Sequence, residues 1–167
     1  KEIVVQEMEN EGSQEVFMPQ LQTKEVWEAS GRWDAYKAEK LTYLVQDRDG
    51  NEYCLGPTHE EVVTHLAKNW LTSYKQLPQN LFQITNKFRD EIRPRFGLMR
   101  CKEFLMKDAY SLCANTQQME EQYQKMRRAY QKILDRLELD YAIVQADSGK
   151  IGGTSAHSEE FQVLADI

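Results

Sequence analysis

Phe88-Arg89-Asp90-Glu91 closes a run rich in aromatic and branched residues that reads as a strand over 81–91. Two apart on a strand, Arg89 and Glu91 fall on one face, with Phe82, Ile84 and Phe88 on the other. A guanidinium fork can grip two phosphate or carboxylate oxygens, a carboxylate can accept from a base edge, and a ring such as Phe104 can meet a base plane. The same charges also fit an ordinary surface ion pair, which stabilises little. Arg93, Arg95, Arg100 and Lys102 follow between Ile92 and Lys102 with no acidic residue among them. They suit phosphates, or a solvated loop.

A second constellation is Thr58-His59-Glu60-Glu61, followed at helical spacing by Val62, Val63, Leu66, Trp70 and Leu71. Thr58 and Glu61 have the spacing of a capping box that opens a helix, which leaves Glu60 without a local structural duty. A carboxylate in a first helical turn is favoured in its ionised form, so Glu60 suits a cationic amine. His59 and His65 are six apart and on different faces, so no zinc pair is expected. Cys54, Cys101 and Cys113 are odd in number and form no C-x-x-C pair, which reads as free thiols.

These groups need rigid carriers. A second strand over 101–112, joined to the first by a loop holding Pro94 and Gly97, makes an antiparallel hairpin. Residues 1–11 read as a helix stopped by Gly12, followed by a short strand, Glu15 to Met18, and Pro19. Thr23 can cap a helix that ends at Gly31, and 41–46 and 52–55 flank a turn at Asp-Arg-Asp-Gly-Asn. Met119, Tyr123, Met126, Tyr130, Ile133 and Leu137 build one apolar face of a long helix over 116–137. Tyr141 to Ala146 reads as a strand, 148–153 as a turn, and 161–164 as a last strand. Strands that pair antiparallel, mixed with helices, define an α+β domain with an antiparallel or mixed sheet flanked by helices.

The 167 residues carry a formal charge of -6, which excludes a whole-surface binder of nucleic acid. Apolar runs are short and interrupted by charge, so no membrane span or signal peptide is expected, and the simplest location is the cytoplasm. Neither G-x-G-x-x-G nor a Walker-type G-x-x-x-x-G-K is present, so a nucleotide site would be of another design.

Phe88-Arg89-Asp90-Glu91, a loop, and Arg100-Cys101-Lys102-Glu103-Phe104 resemble the second signature motif of class II aminoacyl-tRNA synthetases. Gly56-Pro57-Thr58-His59-Glu60-Glu61, Ser73-Tyr74-Lys75-Gln76-Leu77-Pro78, the run from Lys87 through Tyr110, and Val144-Gln145-Ala146-Asp147-Ser148-Gly149 resemble successive landmarks of bacterial-type prolyl-tRNA synthetases. Residues 15–19 and the preceding helix resemble the first class II motif, which in that family lies at a homodimer interface. The resemblance implies activation of proline by ATP, carried as its Mg²⁺ complex, and transfer of the prolyl group to tRNA(Pro). It implies that Arg89 holds the α-phosphate and the substrate carboxylate, Glu91 meets the adenine amino group and Phe104 stacks on adenine. Thr58 and Glu60 would receive the proline amine, and Arg93, Arg95, Arg100 and Lys102 would lie near the tRNA acceptor end.

The stretch Ser155-Ala156-His157-Ser158-Glu159-Glu160-Phe161 resembles the Ser-His-Glu-Phe of that pocket, with Glu160 and Phe161 kept and His157 displaced. The resemblance also implies that residues 1–167 are part of a class II catalytic domain. The editing insertion, third motif and anticodon-binding domain would lie outside it, and the piece alone would be inactive. The competing readings are a synthetase-like binding module without catalysis, or a synthetase for threonine or serine.

Overall fold

A computed structural model describes residues 1–146 and 158–164. Along the chain come α1 (Glu2–Asn10), β1 (Gln14–Glu15), β2 (Leu21–Thr23), α2 (Lys24–Ala29), α3 (Trp33–Ala38), β3 (Leu44–Gln46) and β4 (Glu52–Leu55). They are followed by α4 (Glu60–Trp70), β5 (Gln79–Phe88), β6 (Glu103–Leu112), α5 (Thr116–Arg136), β7 (Tyr141–Gln145) and β8 (Glu159–Val163). The turn expected at 148–153 and His157 lie outside the described residues. Two compact units result, one of residues 13–119 and one of residues 1–12 with 120–167.

In the first unit β5 and β6 pair antiparallel over ten residues, from Gln79↔Leu112 to Phe88↔Glu103, as the sequence predicts. β1 adds to β5 in parallel through Gln14↔Leu81 and Glu15↔Phe82, so this sheet is mixed. A second sheet runs β2-β4-β3, all antiparallel. The turn between β3 and β4 closes on the Asp47 carboxylate, which accepts from the backbone N–H groups of Asp49 and Asn51 at 2.9 Å each and from the Asn51 side chain at 2.8 Å. These bonds, the Asn51 side chain's first, hold its carboxyl down to about 2.

Among the described residues, two apolar clusters carry the unit. Met18, Val63 and Leu81 form one, with Val16, Val62 and Tyr110 against it. Trp27, Trp33 and Cys54 form the other, where burial pushes the Cys54 thiol up to about 12. The three cysteines are free thiols, as expected. The sequence reading lacked β2 and α3. Both owe their place to tertiary contacts: β2 completes the sheet against β4, and Trp33 of α3 is buried in the Trp27 cluster.

In the second unit α1 is tied to α5 by Glu7–Arg136 at 2.6 Å and by Glu11 to Arg128 at 2.9 Å and Lys132 at 3.0 Å. β7 and β8 pair antiparallel, and the Phe161 ring lies 5.7 Å from Tyr130 and 5.9 Å from Tyr141. The apolar stripe of α5 is shorter than its periodicity suggests. Ala129 and Ile133 are buried, whereas Met119 and Leu137 at the ends are exposed. Mixed and antiparallel sheets with helices give the expected α+β architecture.

Candidate functional site

The loop from β4 to α4 is pinned from several sides. Gly56 donates to the Gln20 carbonyl at 2.8 Å and accepts from Phe88 N–H at 3.0 Å, which ties the loop to the end of β5. A Cβ at position 56 would stand 2.6 Å from Gln22 Nε2 and 3.1 Å from His59 Cε1, so close approach requires glycine there. Gln22 donates to the Thr58 carbonyl at 2.9 Å while accepting from Trp27 Nε1 at 2.8 Å. The His59 ring is fully buried with Nε2 3.0 Å from the Pro19 carbonyl. Burial, together with the nearby Lys87 ammonium, holds His59 below its ordinary range.

The capping box expected here does not form. α4 begins at Glu60, with His59 in the cap position and no side-chain cap. Thr58 therefore stands one residue too early, and its hydroxyl bonds the Glu60 carboxylate instead. Glu61 reaches away from the cap. Its side chain is buried, accepting from Arg32 Nη1 at 2.8 Å and Ser30 Oγ at 3.0 Å. The Arg32 guanidinium in turn lies 4.7 Å from the Tyr36 ring and 5.5 Å from the Trp27 ring. Thus Thr58 and Glu60 face each other in a part-exposed pair at a helix N-terminus, where the dipole favours negative charge.

Arg89 lies just past β5, and its backbone N–H still donates to the Lys102 carbonyl at 2.9 Å. The chain then turns sharply, with Glu91 N–H on the Arg89 carbonyl at 2.8 Å. Arg89 and Glu91 therefore do not share a face by strand alternation, because the strand ends at Phe88. The side chains go to different tasks. Arg89 Nε donates to the Pro57 carbonyl at 3.1 Å, and its guanidinium stands 5.5 Å from the centre of the Phe104 ring. Among the described residues its two terminal nitrogens have no partner, and they are the donors that can meet an anionic ligand.

Glu91 accepts from Arg93 N–H at 3.0 Å and pairs with Arg100 Nε at 3.0 Å, and these two contacts hold its carboxyl below the ordinary range. Lys102 pairs with Asp90. Of the four basic loop residues, Arg93 and Arg95 alone have side chains without a partner among the described residues. Ile92, Phe96, Leu98 and Met99 are exposed on the same loop.

Sequence reasoning missed the polar layer beneath the site. Gln83, Thr85 and Lys87 of β5 are buried, and register puts them on the face that carries Phe104, Met106, Asp108 and Tyr110 of β6. The alternation Phe82, Ile84, Phe88 against Gln83, Thr85, Lys87 is visible in the sequence, but its polar side reads as solvent-facing until the loop and α4 cover it. Glu160 sits on β8 of the other unit, exposed, and accepts from Gln162 at 3.1 Å. Among the described residues no group of three or more His, Cys, Asp or Glu side chains can hold a metal ion, and no helix is long and apolar enough to cross a membrane.

The structure thus holds Arg89 on the carbonyl of Pro57, the residue before the bonded Thr58–Glu60 pair, with Phe104 against its guanidinium: a carboxylate, a cationic fork and an aromatic ring. Residues 43–167 match the family described as tRNA synthetase class II core domain (G, H, P, S and T). The chain is 57% identical over 166 residues to the proline–tRNA ligase of Chlamydia muridarum and 58% identical over 165 residues to that of Synechococcus sp. strain JA-2-3B'a(2-13). It covers 99% and 98% of itself in these matches but spans only 28% and 27% of those relatives. Its fold is similar to Giardia lamblia prolyl-tRNA synthetase in complex with prolyl-adenylate, with a TM-score of 0.76 at 19% identity over 86% of this chain and 30% of that one. It is likewise similar to Cryptosporidium parvum prolyl-tRNA synthetase complexed with L-proline and AMP, with a TM-score of 0.78 at 16% identity over 96% of this chain and 32% of that one.

Proposed function

We propose, from the premise that this chain belongs to the family of class II tRNA synthetase core domains, that it supplies the proline-activating surface of a proline–tRNA ligase. The observation that carries the reading is the Arg89–Pro57 bond, which sets a cationic fork beside the Thr58–Glu60 pair. A zwitterionic amino acid needs both ends met: an acceptor for its ammonium and a cation for its carboxylate.

In the first step the proline carboxylate oxygen attacks the α-phosphorus of ATP and pyrophosphate leaves, giving prolyl-adenylate. In the second a terminal ribose hydroxyl of tRNA attacks the prolyl carbonyl and AMP leaves. No protein nucleophile is required, so the side chains act by positioning and by stabilising charge. Glu60 and Thr58 hold the secondary ammonium, while the free Arg89 nitrogens draw the carboxylate and the α-phosphate together. Phe104 offers a ring to adenine. Glu91 meets the adenine amino group with the lone pairs that Arg93 and Arg100 leave. The Mg²⁺ arrives as part of the ATP complex, and residues 15–19, with Phe17 85% exposed, contribute to a homodimer contact.

The test is a full-length relative in which this chain replaces the matching segment. Pyrophosphate exchange into ATP is expected with proline and not with threonine or serine. A folded chimera that answers to threonine or serine, or binds without exchange, would overturn the reading.

For tRNA the loop divides. Arg93→Ala and Arg95→Ala are each expected to weaken tRNA use and to lower the salt dependence of binding by about one counterion, with proline-dependent exchange unchanged. Arg100→Ala should disturb exchange as well, since Arg100 holds Glu91. Filter binding across a salt series, run beside exchange assays, checks both. Equal salt slopes in wild type and in Arg93→Ala and Arg95→Ala would remove these residues from the tRNA surface.

A further inference from the structure

Lys87 is a fully buried charge that touches no surface. Its ammonium lies 2.7 Å from Asp108 Oδ1 and donates to Thr85 Oγ1 at 2.6 Å. Asp108 Oδ2 in turn accepts from Gln83 at 2.9 Å and from the Tyr110 hydroxyl at 2.5 Å. Gln83 also accepts the Met18 N–H at 3.2 Å, which ties this network to the strand-entry segment. A tyrosine hydroxyl has one proton, and here Asp108 takes it. The hydroxyl oxygen is thereby turned to accept the backbone N–H of His59 at 3.0 Å. That N–H belongs to the cap position of α4, between Thr58 and Glu60, where no side chain of the helix caps it.

Burying an ion pair contributes little net stability against an apolar replacement, so stability alone is a poor reason for Lys87. A network in which every member has a partner does something else: it selects one geometry. We infer that Lys87 is a positioning residue for the amine end of the site, acting through Asp108 and Tyr110 on the His59 backbone and so on the spacing of Thr58 and Glu60. Without the ammonium, the mostly covered Asp108 carboxylate loses its counter-charge and turns to other donors. That change frees the Tyr110 proton and releases the loop. This inference rests on the proline-activation reading above, but its first readout does not.

The experiment compares wild type, Tyr110→Phe, Lys87→Met and the double variant Lys87→Met/Asp108→Asn. Tyr110→Phe removes one hydroxyl and keeps the ring, so it remains informative if Lys87→Met does not fold. In the chain itself, amide hydrogen exchange at His59 is expected to quicken roughly tenfold in Tyr110→Phe, the scale of one lost hydrogen bond. In the full-length enzyme, KM for proline should rise about tenfold in Tyr110→Phe and Lys87→Met, with kcat and KM for ATP within about threefold. The double variant should recover part of the proline KM, since it leaves no orphaned charge. Unchanged His59 exchange together with unchanged proline KM in Tyr110→Phe overturns the inference. Equal rises in KM for proline and ATP also overturn it, since they mean general softening. A wild-type enzyme without proline-dependent exchange would instead sink the activation reading, while the His59 amide still reports on the network.

Discussion

Arg89→Ala is expected to slow adenylate formation by about 10²–10³-fold while the protein stays folded, the scale of one lost charge-stabilising donor. The geometry says why the loss is kinetic. Arg89 is exposed, spends one nitrogen on the Pro57 carbonyl, and keeps two nitrogens without a partner among the described residues. Charge builds on the α-phosphoryl oxygens as the carboxylate attacks, and a fork already fixed by Pro57 and the Phe104 ring meets that charge without reorganising. Arg89→Lys should rescue little, because a compact ammonium lacks the planar fork that keeps Nε on Pro57 while two parallel donors face the oxygens. Single-turnover adenylate formation in the full-length enzyme, with a melting curve beside it, checks both variants. Wild-type rates in Arg89→Ala would end the assignment.

Glu61 and Glu60 are neighbours with opposite expected phenotypes. If Glu61 closed a capping box, Glu61→Ala would cost about 0.5–1 kcal/mol. Instead its side chain is 1% exposed and bound to Arg32, so truncation removes the nearest counter-charge of a guanidinium that keeps the Tyr36 hydroxyl and Glu60 at 4.0 Å beside the Trp27 and Tyr36 rings. Breaking a buried pair from one side costs several kcal/mol, and because Arg32 keeps some solvent the expected loss is roughly 3 kcal/mol. Glu60→Gln should barely move the melting temperature, since that carboxylate is part-exposed and among the described residues meets only Thr58 and, at 4.0 Å, Arg32. It should weaken proline use by about tenfold or more, the scale of a charge-assisted hydrogen bond made neutral. Denaturant unfolding and proline titration of both variants decide the matter. Exchanged phenotypes would mean that the two glutamates have been assigned the wrong way round.

By itself the sequence determined what is local. The β5–β6 hairpin is legible because two aromatic, branched runs flank a Pro and Gly loop, and the 21-residue α5 because its apolar residues recur at helical spacing. The same holds for the types and order of Thr58, Glu60, Arg89 and Phe104, since pairing a carboxylate with an amine or a guanidinium with a phosphate is chemistry that residue identity already states. The tertiary structure alone decided direction and burial. Whether Glu61 turns back to a cap or outward to Arg32 depends on an arginine 29 residues away, which no local pattern contains. Whether the polar face of β5 meets water or a covered network depends on the loop and helix that pack over it. Alternation names two faces without saying which is inside, and Gln83, Thr85 and Lys87 are inside because Asp108 and Tyr110 on the partner strand satisfy or link them there.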